Sequence, residues 1–88
     1  MKKLKICVYA ISKNEGKFVD RWYNSIKEAD KIIVLDTGST DNTVEKLKKY
    51  GVEVHQKEIV PWRFDVARNE SLALVPEDYD ICICVDLD

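Results

Sequence analysis

Eighty-eight residues make one small domain, and a chain this short buries only part of its surface, so its stability is modest. With 45% apolar and 34% charged residues and a net charge of −2, the composition is that of an ordinary soluble globular protein without a basic field for nucleic acid. No apolar run is long enough to span a membrane, and the basic start Met1-Lys2-Lys3 is not read as a signal peptide, because the run after it is interrupted by Lys5 and lacks a small-residue cleavage site.

Residues 4–11 form a short apolar run with β-branched members, a first strand. Residues 17–29 follow as a helix, with Phe18, Val19, Trp22, Tyr23 and Ile26 on one stripe. Residues 32–35 are a second strand. Residues 41–50 predict a second helix, with Val44 and Leu47 inward and Glu45, Lys46, Lys48 and Lys49 on a solvated face. Ser39, Thr40 and Asp41 offer capping oxygens at its start, and Gly51 suits the left-handed residue that ends it. Residues 52–55 are a third strand. Val60-Pro61-Trp62 breaks the pattern before a third helix at 64–74, with Phe64, Ala67, Ser71 and Leu74 on its inner side. Pro76 and Glu77-Asp78 end that helix, and residues 81–85 are a fourth strand.

This alternation predicts an α/β fold: a Rossmann-like three-layer parallel sheet with strand order 3-2-1-4, right-handed crossovers and helices on both faces. The strands are near-continuous apolar runs, as buried parallel strands are. Strand order reverses between strands one and four, and ligands of such sheets bind at the carboxyl ends of the strands near that point. The three cysteines, Cys7, Cys82 and Cys84, lie in strand runs and are read as buried reduced thiols.

Three polar loops gather at that edge: Ser12-Lys13-Asn14-Glu15-Gly16, Asp36-Thr37-Gly38-Ser39-Thr40-Asp41, and Asp86-Leu87-Asp88. They point to a small-molecule site, with a nucleotide ahead of other ligands. Neither a Gly-x-Gly-x-x-Gly fingerprint nor a Walker loop is present, so phosphate charge must be met otherwise. Asp86 and Asp88, at a strand end, suit a hard divalent cation, Mg²⁺ or Mn²⁺, whose shell substrate phosphates complete.

The ordered set Ile11-Ser12-Lys13-Asn14-Glu15, Asp36-Thr37-Gly38-Ser39-Thr40-Asp41-Asn42-Thr43, Ala67-Arg68-Asn69 and Asp86-Leu87-Asp88 resembles the motifs of family 2 glycosyltransferases of the GT-A fold. The resemblance spans almost the whole chain. It implies that residues 1–88 are the nucleotide-diphosphate-sugar-binding portion of an inverting, metal-dependent glycosyltransferase, without the acceptor half. The stretch 62–69 looks closest to bacterial members that build lipopolysaccharide cores or other surface glycans. By the same resemblance, Ser12, Lys13, Asn14 and Glu15 lie along the nucleoside, and Asp36 accepts from the base, uracil N3–H in a UDP-sugar. Arg68 meets base or phosphate. Of Asp86 and Asp88, one binds the metal and the other reaches the ribose or sugar.

Two positions depart from the pattern: Thr37 replaces a second acidic residue, and Lys13 stands where some members stack an aromatic on the base. The catalytic base lies beyond the motifs present, so this piece is expected to bind nucleotide weakly and transfer no sugar, the full-length parent being the enzyme. The resemblance further implies a glycan or lipid-linked acceptor and a cytoplasmic location peripheral to the inner membrane face. The unpaired edge of the last strand leads separately to an expectation of either self-association through that edge or disorder in the last few residues. The alternatives are a nucleotidyltransferase-like nucleotide-binding domain and a non-catalytic α/β interaction module. Trp22 and Tyr23 are expected in the core, Trp62 to pack on the sheet edge, and His55 to be half exposed.

Overall fold

The computed structural model describes residues 4–59 and 62–87; the Val60-Pro61 break and Asp88 lie outside these. The elements are β1 (Ile6–Ser12), α1 (Gly16–Ile26), β2 (Lys31–Asp36), α2 (Thr43–Lys49), β3 (Glu53–Gln56), α3 (Phe64–Ala73) and β4 (Ile81–Cys84). The strands pair in parallel in the order β3-β2-β1-β4, as the alternation predicts. No helix among the described residues is long and apolar enough to cross a membrane.

Alternation along β1 and β2 divides the core into two layers. Val8, Ala10 and Val34 join Val19 and Trp22 of α1, Leu47 of α2, Val52 and Leu87 in one buried cluster. Cys7, Ile33 and Leu35 point to the opposite face, where α3 packs on β1 and β2 and buries Ala67 and Ser71. The Ser71 hydroxyl donates to the Ala10 carbonyl at 3.2 Å, which fixes α3 against the central strand. The α1 stripe is as expected: Val19 and Trp22 are buried, and Phe18, Tyr23 and Ile26 pack around them.

The element ends have local causes. The strand begins at Ile6 because its backbone N–H is taken by Asp30 Oδ2 at 2.7 Å, while Lys5 N–H donates to Asp80 Oδ2 at 2.8 Å. Helix α2 begins at Thr43, two residues later than expected, because Asp41 stays outside it and accepts the Thr43 N–H at 2.9 Å. Gly51, at φ 83°, ends α2; its N–H reaches Lys48 O and the Val52 N–H reaches Leu47 O.

Two expectations are corrected at the sheet margin. Only Cys7 is a buried thiol; Cys82 is exposed and Cys84 half-buried, because β4 is an edge strand and α3 lies over the centre of the sheet. Phe64 does not face the core: it is 52% exposed, since the first turn of α3 overhangs the strand ends. On the α1 side of β4, an open groove of about 660 Å³ runs between Ile6, Val8, Ile26, Ala29, Ile83 and Val85.

Candidate functional site

The strands β1 and β2 end side by side, with Ser12 in register with Asp36, and their two following loops are tied together by polar contacts. Asn14 takes a left-handed conformation, φ 53°, which turns its side chain toward the neighbouring loop. Its Oδ1 accepts the N–H groups of Thr40 at 2.7 Å and Asp41 at 3.3 Å. In the other direction, the Asn14 N–H donates to Ser39 Oγ, the Glu15 N–H to Thr43 Oγ1 and the Gly16 N–H to Asp41 Oδ2. Gly16 packs closely here: a Cβ on it would lie 2.1 Å from Asn42 Oδ1, so the Asn42 side chain would have to turn away.

Asp36 is at the centre of this junction and is fully buried. Its Oδ1 accepts from the hydroxyls of Ser12 and Ser39, and its Oδ2 from the N–H groups of Gly38 and Ser39. Four donors match the four lone-pair sites of a carboxylate. A base N–H could therefore reach Asp36 only by displacing one of them. The carboxylate caps the turn after β2, and the neighbouring Thr37, itself buried, donates its hydroxyl to the Ser12 carbonyl at 3.2 Å.

A cavity of about 230 Å³ opens above this junction, lined by Ile11, Ser12, Lys13, Glu15, Thr37, Trp62, Phe64 and Asp86. It sits at the carboxyl ends of β1 and β2, against the segment leaving β4, where the strand order reverses. Of the expected site residues, Ser12, Lys13, Glu15 and Asp86 converge on it. Asn14 braces its loops, and Asp36 lies beneath its floor. Arg68 is exposed on α3, with its guanidinium 4.7 Å from the centre of the Phe64 ring, and is not among the lining residues. Asp88 lies outside the described residues.

Thr37, Trp62 and Phe64 complete the lining. Trp62, expected to pack on the sheet edge, is instead 53% exposed at the cavity. The signal for both aromatics was their position at the start of a helix, Trp62 just ahead of α3 and Phe64 its first residue.

Asp86 is exposed, a hard oxygen ligand at the cavity wall. Burial, and next the Asp86 charge, push the nearby Cys84 thiol up, against a smaller pull from Arg68. The donor at the cavity wall is a carboxylate oxygen, which fits a hard cation such as Mg²⁺ or Mn²⁺. Among the described residues, no three His, Cys, Asp or Glu side chains come together as a metal site. One carboxylate from here, with phosphate and water, is nonetheless a normal way for such a cation to be held.

A second cleft, of about 280 Å³, lies at the opposite edge of the sheet and includes Tyr23, Lys31, Tyr50 and Glu53 in its walls. Its polar groups engage one another: Lys31 pairs with Glu53 at 2.9 Å, and the two tyrosine rings stack at 4.3 Å. It lies away from the switch point.

The family described as glycosyl transferase family 2 matches residues 7–88. An uncharacterized glycosyltransferase of Rickettsia conorii is 44% identical over 59 residues, covering 66% of this chain and 20% of that protein. One of Rickettsia prowazekii is 42% identical over 59 residues, covering 66% and 19%. The chain thus spans about a fifth of the curated relatives it matches. Among solved structures, the glucosyl-3-phosphoglycerate synthase of Mycobacterium tuberculosis superposes with a TM-score of 0.80 at 28% identity, over 97% of this chain and 35% of that one. The same synthase in complex with Mn²⁺, UDP-glucose and phosphoglyceric acid gives a TM-score of 0.79 at 28% identity, covering 97% and 34%.

Proposed function

The chain belongs to glycosyl transferase family 2, and from that premise we propose that it forms the donor-binding side of a metal-dependent, inverting sugar transferase using a nucleotide diphosphate sugar. The observation that carries this reading is the single cavity that joins Ser12, Lys13, Glu15 and Thr37 to Asp86 at the switch point. A UDP-sugar is the favoured donor, since the similar synthase is described with UDP-glucose and Mn²⁺.

In this reading, the Ser12–Glu15 loop, with Thr37 beside it, receives the nucleoside. Trp62 and Phe64 offer π-faces to its base. Lys13 supplies positive charge near the phosphates, and Arg68 adds to the field from α3. Asp86, with Asp88, would hold Mg²⁺ or Mn²⁺, which when bound offsets charge on the departing diphosphate. Asp36 keeps the floor of the site in place and remains within one displaced donor of the base. In the transfer, an acceptor hydroxyl oxygen bonds to the anomeric carbon as the bond to the diphosphate oxygen breaks. The hydroxyl proton passes to a base that we place outside residues 1–88, so these residues alone bind donor and transfer nothing.

The acceptor we infer is a glycan or lipid-linked glycan of a bacterial surface, met at the cytoplasmic side of the inner membrane. The edge of β4, where Ile83 is exposed, is where we place self-association of this chain; light scattering that finds a monomer at all concentrations would remove that element.

The test is a titration of the chain with UDP, with and without Mg²⁺, followed by NMR. Metal-dependent shifts at Ser12, Thr37 and Asp86 are expected. No shift at saturating UDP would reject the reading in favour of a non-catalytic module.

A further inference from the structure

We propose that Trp22 is a positioning residue for the Asp86 carboxylate, acting through the backbone of Val85. The inference rests on the reading of Asp86 as a donor-site ligand.

The segment after β4 has left the sheet ladder at Cys84, yet it carries the acidic residue that the cavity needs. It is fixed from both sides. The Val85 N–H donates to the Tyr9 carbonyl at 3.2 Å, and the Val85 carbonyl accepts the Trp22 indole N–H at 2.8 Å. On the far side of Asp86, Leu87 is 2% exposed and belongs to the same buried cluster as Trp22. An exposed carboxylate thus stands between two anchored neighbours.

The plain alternative is that a buried indole merely satisfies its N–H, as buried tryptophans usually do. The choice of acceptor argues for more. Phe or Leu could fill volume in the cluster, but only the indole supplies a donor at this place. The carbonyl it holds is that of the residue immediately before Asp86. Fixing that peptide limits the directions in which the carboxylate can point, which matters for a cation that demands near-octahedral geometry. Partners of metal ligands act in this way, and removing one typically weakens metal binding.

The experiment replaces Trp22 with benzothienylalanine, which keeps the bicyclic shape and exchanges N–H for sulfur, alongside Trp22→Phe. Two readouts are taken on each. The first is the backbone order parameter of Asp86 from ¹⁵N relaxation, without metal. The second is Mn²⁺ affinity in the presence of UDP, from water-proton relaxation. With benzothienylalanine, the Asp86 order parameter is expected to fall from about 0.85 toward about 0.6. Mn²⁺ affinity is expected to fall about tenfold. Either quantity staying at its wild-type value overturns the inference, and Trp22 is then a core residue only. If Trp22→Phe unfolds the chain, the benzothienylalanine protein decides alone. A wild-type chain that binds no Mn²⁺ with UDP overturns the donor-site reading and this inference with it. A wild type that binds, beside an unchanged variant, overturns the inference alone.

Discussion

The Ser12 hydroxyl donates to Asp36 Oδ1 at 2.7 Å, joining the ends of two adjacent parallel strands under the floor of the cavity. Asp36 is thereby a folding residue. Asp36→Ala removes the acceptor of four donors. Only the Ser12 bond is fully buried, the Gly38 and Ser39 groups being part-buried and able to turn to water, so a cost of about 3 kcal/mol is expected, a buried donor left without a partner costing ~1–3 kcal/mol. In a domain of this size, that lowers Tm by more than about 10 °C. Asp36→Asn keeps an acceptor for Gly38 and Ser39 N–H, and its amide can donate to the hydroxyls of Ser12 and Ser39. A loss of about 1 kcal/mol is expected. Equal Tm values for the two variants in thermal melts would contradict this account.

The aromatic wall is separable from the fold. Trp62 is half exposed, so Trp62→Ala should change stability by no more than about 0.5 kcal/mol. If its ring stacks on the base, the same change weakens UDP binding about tenfold. Trp62 is also the more exposed of the two tryptophans, and its fluorescence should be quenched by UDP in the wild type. Unchanged UDP affinity in calorimetric titration would remove Trp62 from the site.

Stability should form a plateau in pH. Hydrogen bonds hold four carboxylates below their ordinary range: Asp20 through Tyr50, Asp41 through Thr43, Glu53 through His55, and Asp78 through Lys5. Their contribution is fully present above the unfolded values near ~4, and is lost as pH falls through the lower folded values. On the alkaline side, Lys5 is raised by Asp78, Lys31 by Glu53 and Tyr50 by Asp20. That contribution is present below the unfolded values near ~10, and is lost as pH rises through the folded ones. With the Cys7 and Cys84 thiols also raised by burial, the urea midpoint should therefore be flat between about pH 5 and 8 and fall at both ends. Because the paired groups are largely exposed, their share of the decline should be gentle and weaken with salt. A midpoint that rises below pH 4 would refute the assignment.

The thiols should react in a fixed order. Cys82 is exposed on β4, Cys84 is half-buried, and Cys7 is enclosed between the central strands and α3. Burial raises the thiol pKa of both Cys7 and Cys84, which lowers their thiolate content. Iodoacetamide at pH 8, read by peptide mass spectrometry, should modify Cys82 first, Cys84 more slowly, and Cys7 only on unfolding. Labelling of Cys7 at the Cys82 rate in the folded protein would sink the assigned layer order.

Much of this was legible in the sequence, because it depends on short-range pattern. The alternation of strand and helix periods specified element order, and with right-handed crossovers it specified strand order and the switch point. Ser12, Lys13, Glu15 and Asp86 could be placed on the cavity as polar residues at strand ends. What could not be read depends on distant partners. The burial of Asp36 follows from hydroxyls at Ser12 and Ser39 folding over it. Phe64 has the spacing of an inward residue with Ala67 and Ser71, and faces the cavity only because its turn projects past the sheet. Cys82 sits in a run as apolar as that around Cys7, and its exposure depends on where α3 comes to rest.

The bonds from Asn14, Glu15 and Gly16 to the loop after β2 bridge separations of 25 to 28 residues. Closing so long a loop has a large entropic cost, but it is met once, when β1 and β2 align. Each further bond then forms at little added cost, and each in turn favours the others. The two loops therefore breathe as one body. In hydrogen exchange, the amides of Asn14, Glu15, Gly16, Thr40 and Asp41 should share one opening free energy, so the site is either whole or absent in any single molecule.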